Sequence, residues 1–423
     1  MKNIVFIFSI SCLTFSCSKD DDIRDNNGVI ITKKPIWVST TTDDDQRSNN
    51  YLFKPAIYNN NGLVIRAKKN KLDVIRMLDL NTGETKWDWG DFIERVNYLG
   101  PMYPYVFNNN LIWQSDYNNY SINLDNGKTV WKNGSTENYE YRSKGVDNIF
   151  LVSHLTNRDK LTPDNGGDIV VMDAQTGKPI YAFKPVYDTI GKPSYENCGW
   201  SFQGNGVPFI RDNNIYIFIK FNDPAPSCQS IGKEWLGLFN YSKKQWVYER
   251  QKLKSSDYSF GTPHPSVIYN EKVYHGSQGV IVCHELMTGS RLWQTNVESS
   301  SFYLSAGVLV ENGRVYANSD GGQLVCLDAN NGRILWNISS SGTSTPLSYL
   351  NGVVYFVGGG DGKLHAVDAE TGDYLWKIVS PDLSKNKSAV FSGLCAVIAG
   401  KGSEKGKIVV LNGLNAYCYE AIR

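Results

Sequence analysis

The chain has 423 residues, a formal net charge of +1, and 41% apolar and 13% aromatic residues. That length can bury a large core, and the near-neutral balance, without a basic cluster in the body of the chain, argues against nucleic acid as a partner. No apolar run is long enough to cross a bilayer as a helix.

Residues 1–16 read as a targeting leader. Met1-Lys2-Asn3 gives a positive start, Ile4 to Phe15 a short apolar stretch, and Ser16-Cys17 a small residue before cysteine. The pattern resembles a bacterial lipoprotein signal with Cys17 as the acylated N-terminus. Cys12 is the other candidate, Thr14 and Phe15 depart from the usual Leu-Ala-Gly approach, and an ordinary cleaved signal stays open. Acyl chains would hold such a protein to outer-membrane lipid, since each buried methylene contributes ~0.8 kcal/mol. Residues 17–34 are expected to form a flexible, lipidated tether, because Ser18-Lys19-Asp20-Asp21-Asp22 cannot pack. The Lys-plus-acidic run also resembles a surface-export signal of some Gram-negative lipoproteins, or serves only as a solvated linker. The expected location is the outer membrane of a Gram-negative bacterium, with the protein facing outward.

Residues 35–423 carry a repeat. A glycine is followed four residues later by a large ring at Gly83…Trp87, Gly127…Trp131, Gly177…Tyr181, Gly289…Trp293, Gly332…Trp336 and Gly372…Trp376. With Trp246 included, ring-to-ring steps run about 40 to 65 residues, a propeller-blade period. The copy ending at Ile378 shows the unit. Pro346–Leu350, Val353–Val357, Lys363–Asp368 and Asp373–Ile378 are β-rich runs separated by Asn-Gly, a Gly-rich loop and Ala-Glu-Thr-Gly. We letter these strands A to D. Asp79, Asp173, Asp328 and Asp368 precede the C–D turn, where a carboxylate commonly accepts turn amide hydrogens.

The rings on strand D (Trp87, Trp131, Tyr181, Trp246, Trp293, Trp336 and Trp376) are expected to dock each blade on its neighbour. Blade 4 departs most, with Ser242 at the turn-glycine place. The chain ends on Lys407–Gly413 and Asn415–Glu420, which match strands B and C without a D, while Lys34-Pro-Ile-Trp37-Val-Ser39 looks like a D strand without its blade. The two should complete each other, with Trp37 as the eighth docking ring. The fold expected is all-β: an eight-bladed β-propeller of four-stranded antiparallel blades, the N-terminal strand closing the last blade.

These residues resemble the pyrroloquinoline quinone (PQQ)-type propeller repeat, approximately A-x-D-x-x-T-G-x-x-x-W. Asp173-Ala-Gln-Thr-Gly177 and Asp368-Ala-Glu-Thr-Gly372 are close matches. The repeat serves both quinoprotein dehydrogenases and non-catalytic scaffolds. With the lipid anchor, it implies likeness to the BamB-like scaffold lipoproteins of the outer-membrane β-barrel assembly machinery.

The family's dehydrogenases carry adjacent cysteines over the cofactor, and no Cys-Cys dipeptide occurs here. The five histidines (His154, His264, His275, His284, His365) lack metal-ligand spacing, and no nucleophile motif appears. The chain is therefore read as a non-catalytic binder without cofactor. Cys283, Cys326, Cys395 and Cys418 read as small buried apolar residues, while Cys198 and Cys228 lie in blade 4 loops on one face and could pair in an oxidising compartment. Loops from strand D to the next strand A carry Tyr98, Tyr103, Trp200, Phe202, Tyr258, Phe260, Phe302 and Tyr303. These rings either pack at the funnel mouth or form a ligand surface for glycan or protein.

Overall fold

The computed structural model describes residues from 23 to 423, apart from 26–27, 44–55, 59–61, 94–104, 116–117, 135–137, 141–144, 156–167, 184, 186–204, 223–233, 254–265, 278, 298–306, 343–345, 385 and 387–388. The described strands form eight sheets. Blade 1 comprises Ala56–Tyr58, Gly62–Lys69, Leu72–Asp79 and Thr85–Trp89 as strands A to D. The D strands of blades 2 to 7 are Thr129–Gly134, Pro179–Phe183, Gln245–Lys252, Arg291–Asn296, Ile334–Ser339 and Tyr374–Ile378. Ser392–Ile398, Lys407–Leu411 and Asn415–Glu420 are strands A to C of blade 8. Its D strand is Trp37–Thr40, antiparallel to the last strand, with Trp37 opposite Cys418 and Thr40 opposite Asn415.

Apolar clusters show why the sheets form a closed ring. A sheet buries both faces only when another layer packs on each of them. Buried residues of blades 8, 1 and 2 merge around Trp37, Leu63 and Trp113. Further clusters join blades 2 to 3, 3 to 4, 4 to 5, 5 to 6, 6 to 7 and 7 to 8, so every sheet packs on both neighbours. The closing strand is secured beyond its ladder. The Thr41 amide donates to Leu414 O at 2.8 Å, and the Arg76 guanidinium of blade 1 donates to Thr40 O at 2.7 Å while pairing with Asp88.

The tether expected over 17–34 is shorter than the sequence suggested. Gly28–Ile31 forms a strand parallel to Tyr374–Ile378, with Ile30 opposite Lys377 and Ile31 opposite Ile378. Ile23–Asp25 pairs antiparallel outside it. Blade 7 thereby becomes a six-stranded sheet, and Ile31 packs against the blade 7–8 core. An apolar Val-Ile-Ile run beside an open blade edge explains the pairing. We call this segment the strap.

Candidate functional site

The repeat glycine and ring form a lock between successive blades. At the blade 5–6 seam the Trp293 Nε1–H donates to Ala329 O at 3.1 Å, and the ring lies flat over Gly332. A Cβ at Gly332 would fall 2.5 Å from that ring, and the residue's φ of +74° already favours glycine. The same donation joins Trp37 to Leu80 O (2.9 Å), Trp87 to Leu124 O (3.0 Å), Trp131 to Ala174 O (3.2 Å) and Trp336 to Ala369 O (3.3 Å). Thus a regular Gly…ring pair, such as Gly332…Trp336, faces two ways. Its ring covers the next blade's turn, and its glycine receives the ring of the blade before. The turn carboxylates accept from turn amides: Asp79 from Asn81 and Thr82, Asp368 from Glu370 and Thr371. Burial raises the pKa of both, but those amides, with Lys86 and Arg423, outweigh it and hold each below the usual carboxylate range.

Blade 4 corrects one assignment. Each docking ring sits opposite the strand C residue just before a register shift, as Trp87 does opposite Met77 and Trp293 opposite Cys283. In blade 4 that place belongs to Tyr248, opposite Leu238, whereas Trp246 is opposite Phe239. Tyr248 Oη donates to Leu286 O at 3.0 Å and its ring covers Gly289. Trp246 packs the other way, edge-on to Phe239 and Phe183 of blade 3. The turn residue with positive φ is Lys244 (54°), four before Tyr248, and not Ser242. Opposite it, Tyr181 of blade 3 stacks on Phe239, and the Lys244 ammonium lies 4.3 Å from the Tyr181 ring centroid. Trp376 meets the joined chain ends instead of a turn, with the Lys33 ammonium 6.0 Å from its ring.

Cys283, Cys326, Cys395 and Cys418 are buried free thiols inside blades 5, 6 and 8. Burial pushes the Cys283 and Cys418 thiols up to about 12 and that of Cys326 to about 11, so thiolate chemistry is suppressed. Three of them lie opposite Trp293, Trp336 and Trp37, where a small apolar side chain fits beneath the ring.

Two buried polar groupings were not evident in the sequence. At the blade 4–5 seam, Lys220, Glu234, His275, His284 and Ser277 are all at most 3% exposed. Ser266 Oγ is 2.6 Å from His275 Nδ1, and Ser277 donates to Glu234 at 2.9 Å. Burial, then His284 and Lys220, hold His275 well below its ordinary pKa. Burial brings His284 down to about 4, against the pull of the Lys252 backbone and with a small push from Arg291. Both imidazoles are therefore neutral at pH 7. At the blade 6–7 seam, His365 Nε2 is 3.0 Å from Asp361, and the ring stacks on Phe356 at 4.6 Å. Burial raises the Asp361 pKa, but the His365 contact and Lys363 outweigh it and hold it low. Ser341 Oγ lies 2.0 Å from where a Gly358 Cβ would stand and is a buried hydroxyl without a hydrogen-bond partner among the described residues.

Cys17, Cys198, Cys228 and the loop rings Tyr98, Tyr103, Trp200, Phe202, Tyr258, Phe260, Phe302 and Tyr303 lie outside the described residues. So does His264, and the side chain of His154 is likewise not described.

Residues 243–416 match the family described as outer membrane protein assembly factor BamB. The fold is similar to that of BamB from Moraxella catarrhalis, at 16% identity and TM-score 0.51, covering 83% of this chain and 95% of that one. The chain folds as a β-propeller of eight described sheets, and its residues 243–416 match a PQQ-like repeat family. A europium-containing methanol dehydrogenase shares the fold at 12% identity and TM-score 0.64, over 90% and 85% of the two chains. So does a quinohemoprotein alcohol dehydrogenase from Comamonas testosteroni, at 11% identity and TM-score 0.66, over 92% and 76%. None of the curated proteins matches the sequence. Among the described residues of this propeller, no three His, Cys, Asp or Glu side chains converge to hold a metal ion, and its four described thiols stand apart. The described side chains do not supply the donor set of a quinone-with-calcium centre.

Proposed function

We propose that this PQQ-like propeller is a non-catalytic, lipid-anchored scaffold of the outer membrane that binds other proteins there, in the manner of the BamB family. The observation that carries the reading is the family match, which runs from the blade 4 turn into the last strand of blade 8. The described interior supports it, because the titratable side chains buried there are enclosed between blades. Neutral His275 and His284 and the high-pKa thiols offer no exposed nucleophile or base. Cys17 is the proposed acylation site, and the chain from there to the strap is the proposed tether. The loop rings between strands D and A are the proposed binding face, with Cys198 before strand A and Cys228 between strands B and C of blade 4 as a proposed disulfide.

Cross-linking in intact outer membranes, followed by identification of trapped species, tests the scaffold reading. It expects specific outer-membrane proteins, and recovery of glycan alone contradicts it. The Lys19-Asp20-Asp21-Asp22 run favours a second reading, an outward-facing binder of glycan or another nutrient. Protease added to intact cells separates the two, since an inward-facing assembly factor survives and a surface binder is degraded. The fold shared with two quinoprotein dehydrogenases favours a third reading, oxidation of an alcohol or sugar. Dye-linked turnover after adding PQQ and calcium would establish that activity and overturn the scaffold reading.

A further inference from the structure

We infer that the strap fixes the bilayer against the outer edge of blade 7, so that the propeller axis lies along the membrane plane and blades 3 and 4 point away from it. The inference rests on the proposed acylation of Cys17 and adds a partner surface, the lipid bilayer, at one edge of the ring.

Three observations carry it. First, the strap occupies the rim. Gly28–Ile31 pairs with the outermost strand of blade 7, and Ile23–Asp25 lies one strand further out. Second, the strap is built into the fold beyond its ladder. Ile31 joins Leu375 on the blade 7–8 core, and Lys33 is half-buried over Trp376. Third, the remaining chain is short. From Cys17 to Ile23 there are six Cα steps, which reach at most ~22 Å when fully extended.

Without the strap the first fixed residue would be Trp37, twenty steps from Cys17, with a reach of ~70 Å. A leash of that length lets the ring turn any edge to the membrane. The strap removes this freedom by moving the point of attachment onto the circumference. With the side of the rim at blade 7 resting on the bilayer, the ring axis lies along the membrane and both ends of the ring open sideways, within reach of partners embedded in the same membrane. Blade 3 is diametrically opposite blade 7 in a ring of eight.

Exposed aliphatic side chains do not make this choice. Ile36 of blade 8 and Leu335 of blade 6 flank the strap, but Ile180 of blade 3 and Val247 of blade 4 are just as exposed on the far rim. The four positions therefore serve as matched reporters.

The test uses the full-length lipidated protein in phospholipid vesicles. A photo-activatable phenylalanine analogue replaces Leu335, Ile36, Ile180 or Val247 in turn, and lipid adducts are counted by mass spectrometry. Adducts at Leu335 and Ile36 should exceed those at Ile180 and Val247 by at least fivefold. Ile31→Asp, which puts a charge on the strap's packed face while leaving Trp37–Thr40 in place, should abolish that preference with the fold unchanged by circular dichroism. Equal labelling at all four positions, or a preference that survives Ile31→Asp, overturns the inference. Cys17→Ser reports separately on the anchor. If that variant still floats with vesicles, the acylation reading fails by itself, whatever the adduct pattern.

Discussion

Two seams of the same ring solve one packing problem differently. Between blades 5 and 6, Trp293 lies on Gly332 and hydrogen-bonds Ala329 O across the seam. Between blades 3 and 4 both halves of the lock are replaced. Tyr181 takes the tryptophan's place, Lys244 the glycine's, and Trp246 fills the seam from the other side. The first contact is a close approach that only glycine permits. The second is a looser aromatic stack under an ammonium, which tolerates a side chain at the turn. The comparison teaches that the architecture demands a flat ring over a left-handed turn, and that the Gly–Trp pair is one way of supplying it.

The sharpest way to break this comparison is to remove the ring from the regular seam. Trp293→Ala should cost about 3–5 kcal/mol in denaturant unfolding, because a buried indole and its hydrogen bond are lost together. Gly332→Ala should cost about 3 kcal/mol, from overpacking against Trp293 and a disfavoured φ. Lys244→Gly at the relaxed seam should change stability by less than about 1 kcal/mol, since relief of the positive φ offsets loss of the cation–π contact. Equal costs at Gly332 and Lys244 would remove the distinction between the seams.

Acid should find the blade 4–5 seam. His275 and His284 have folded-state pKa values below the unfolded value of about 6.5, so the unfolded chain binds protons first as pH falls. Stability present above pH ~6.5 is therefore lost toward pH ~4, by about 3 kcal/mol through His284 alone. Unfolding curves of His284→Phe across that window should be visibly flatter than those of the parent. Tyr248→Phe should cost about 1 kcal/mol by deleting the bond to Leu286 O. Trp246→Phe should leave that bond untouched.

The ring was legible because its lock is periodic. A step of four residues from glycine to tryptophan marks a turn and a docking side chain at once, and the orphan Trp37 strand completes blade 8 as the repeat count required. Legibility failed where the physics is met by other residues. In blade 4 a tryptophan two residues early drew the assignment to Trp246, while a lysine in the left-handed region hid the true turn. The strap was unreadable because its three apolar residues follow a charged run, and their partner strand lies some 350 residues later in the chain. Lys220 and Glu234 gave no signal either. Each is a single polar interruption in an apolar strand, and only the folded seam shows them beside His275.

Closure of the ring within one sheet is the claim on which the scaffold reading depends, and amide hydrogen exchange measures it directly. The amides of Trp37–Thr40 should exchange as slowly as those of Asn415–Glu420 and open together with them, as one cooperative unit. Fast exchange at Trp37–Thr40 beside a protected Asn415–Glu420 strand would mean that the eighth blade is not closed by the N-terminal strand, and would contradict the account.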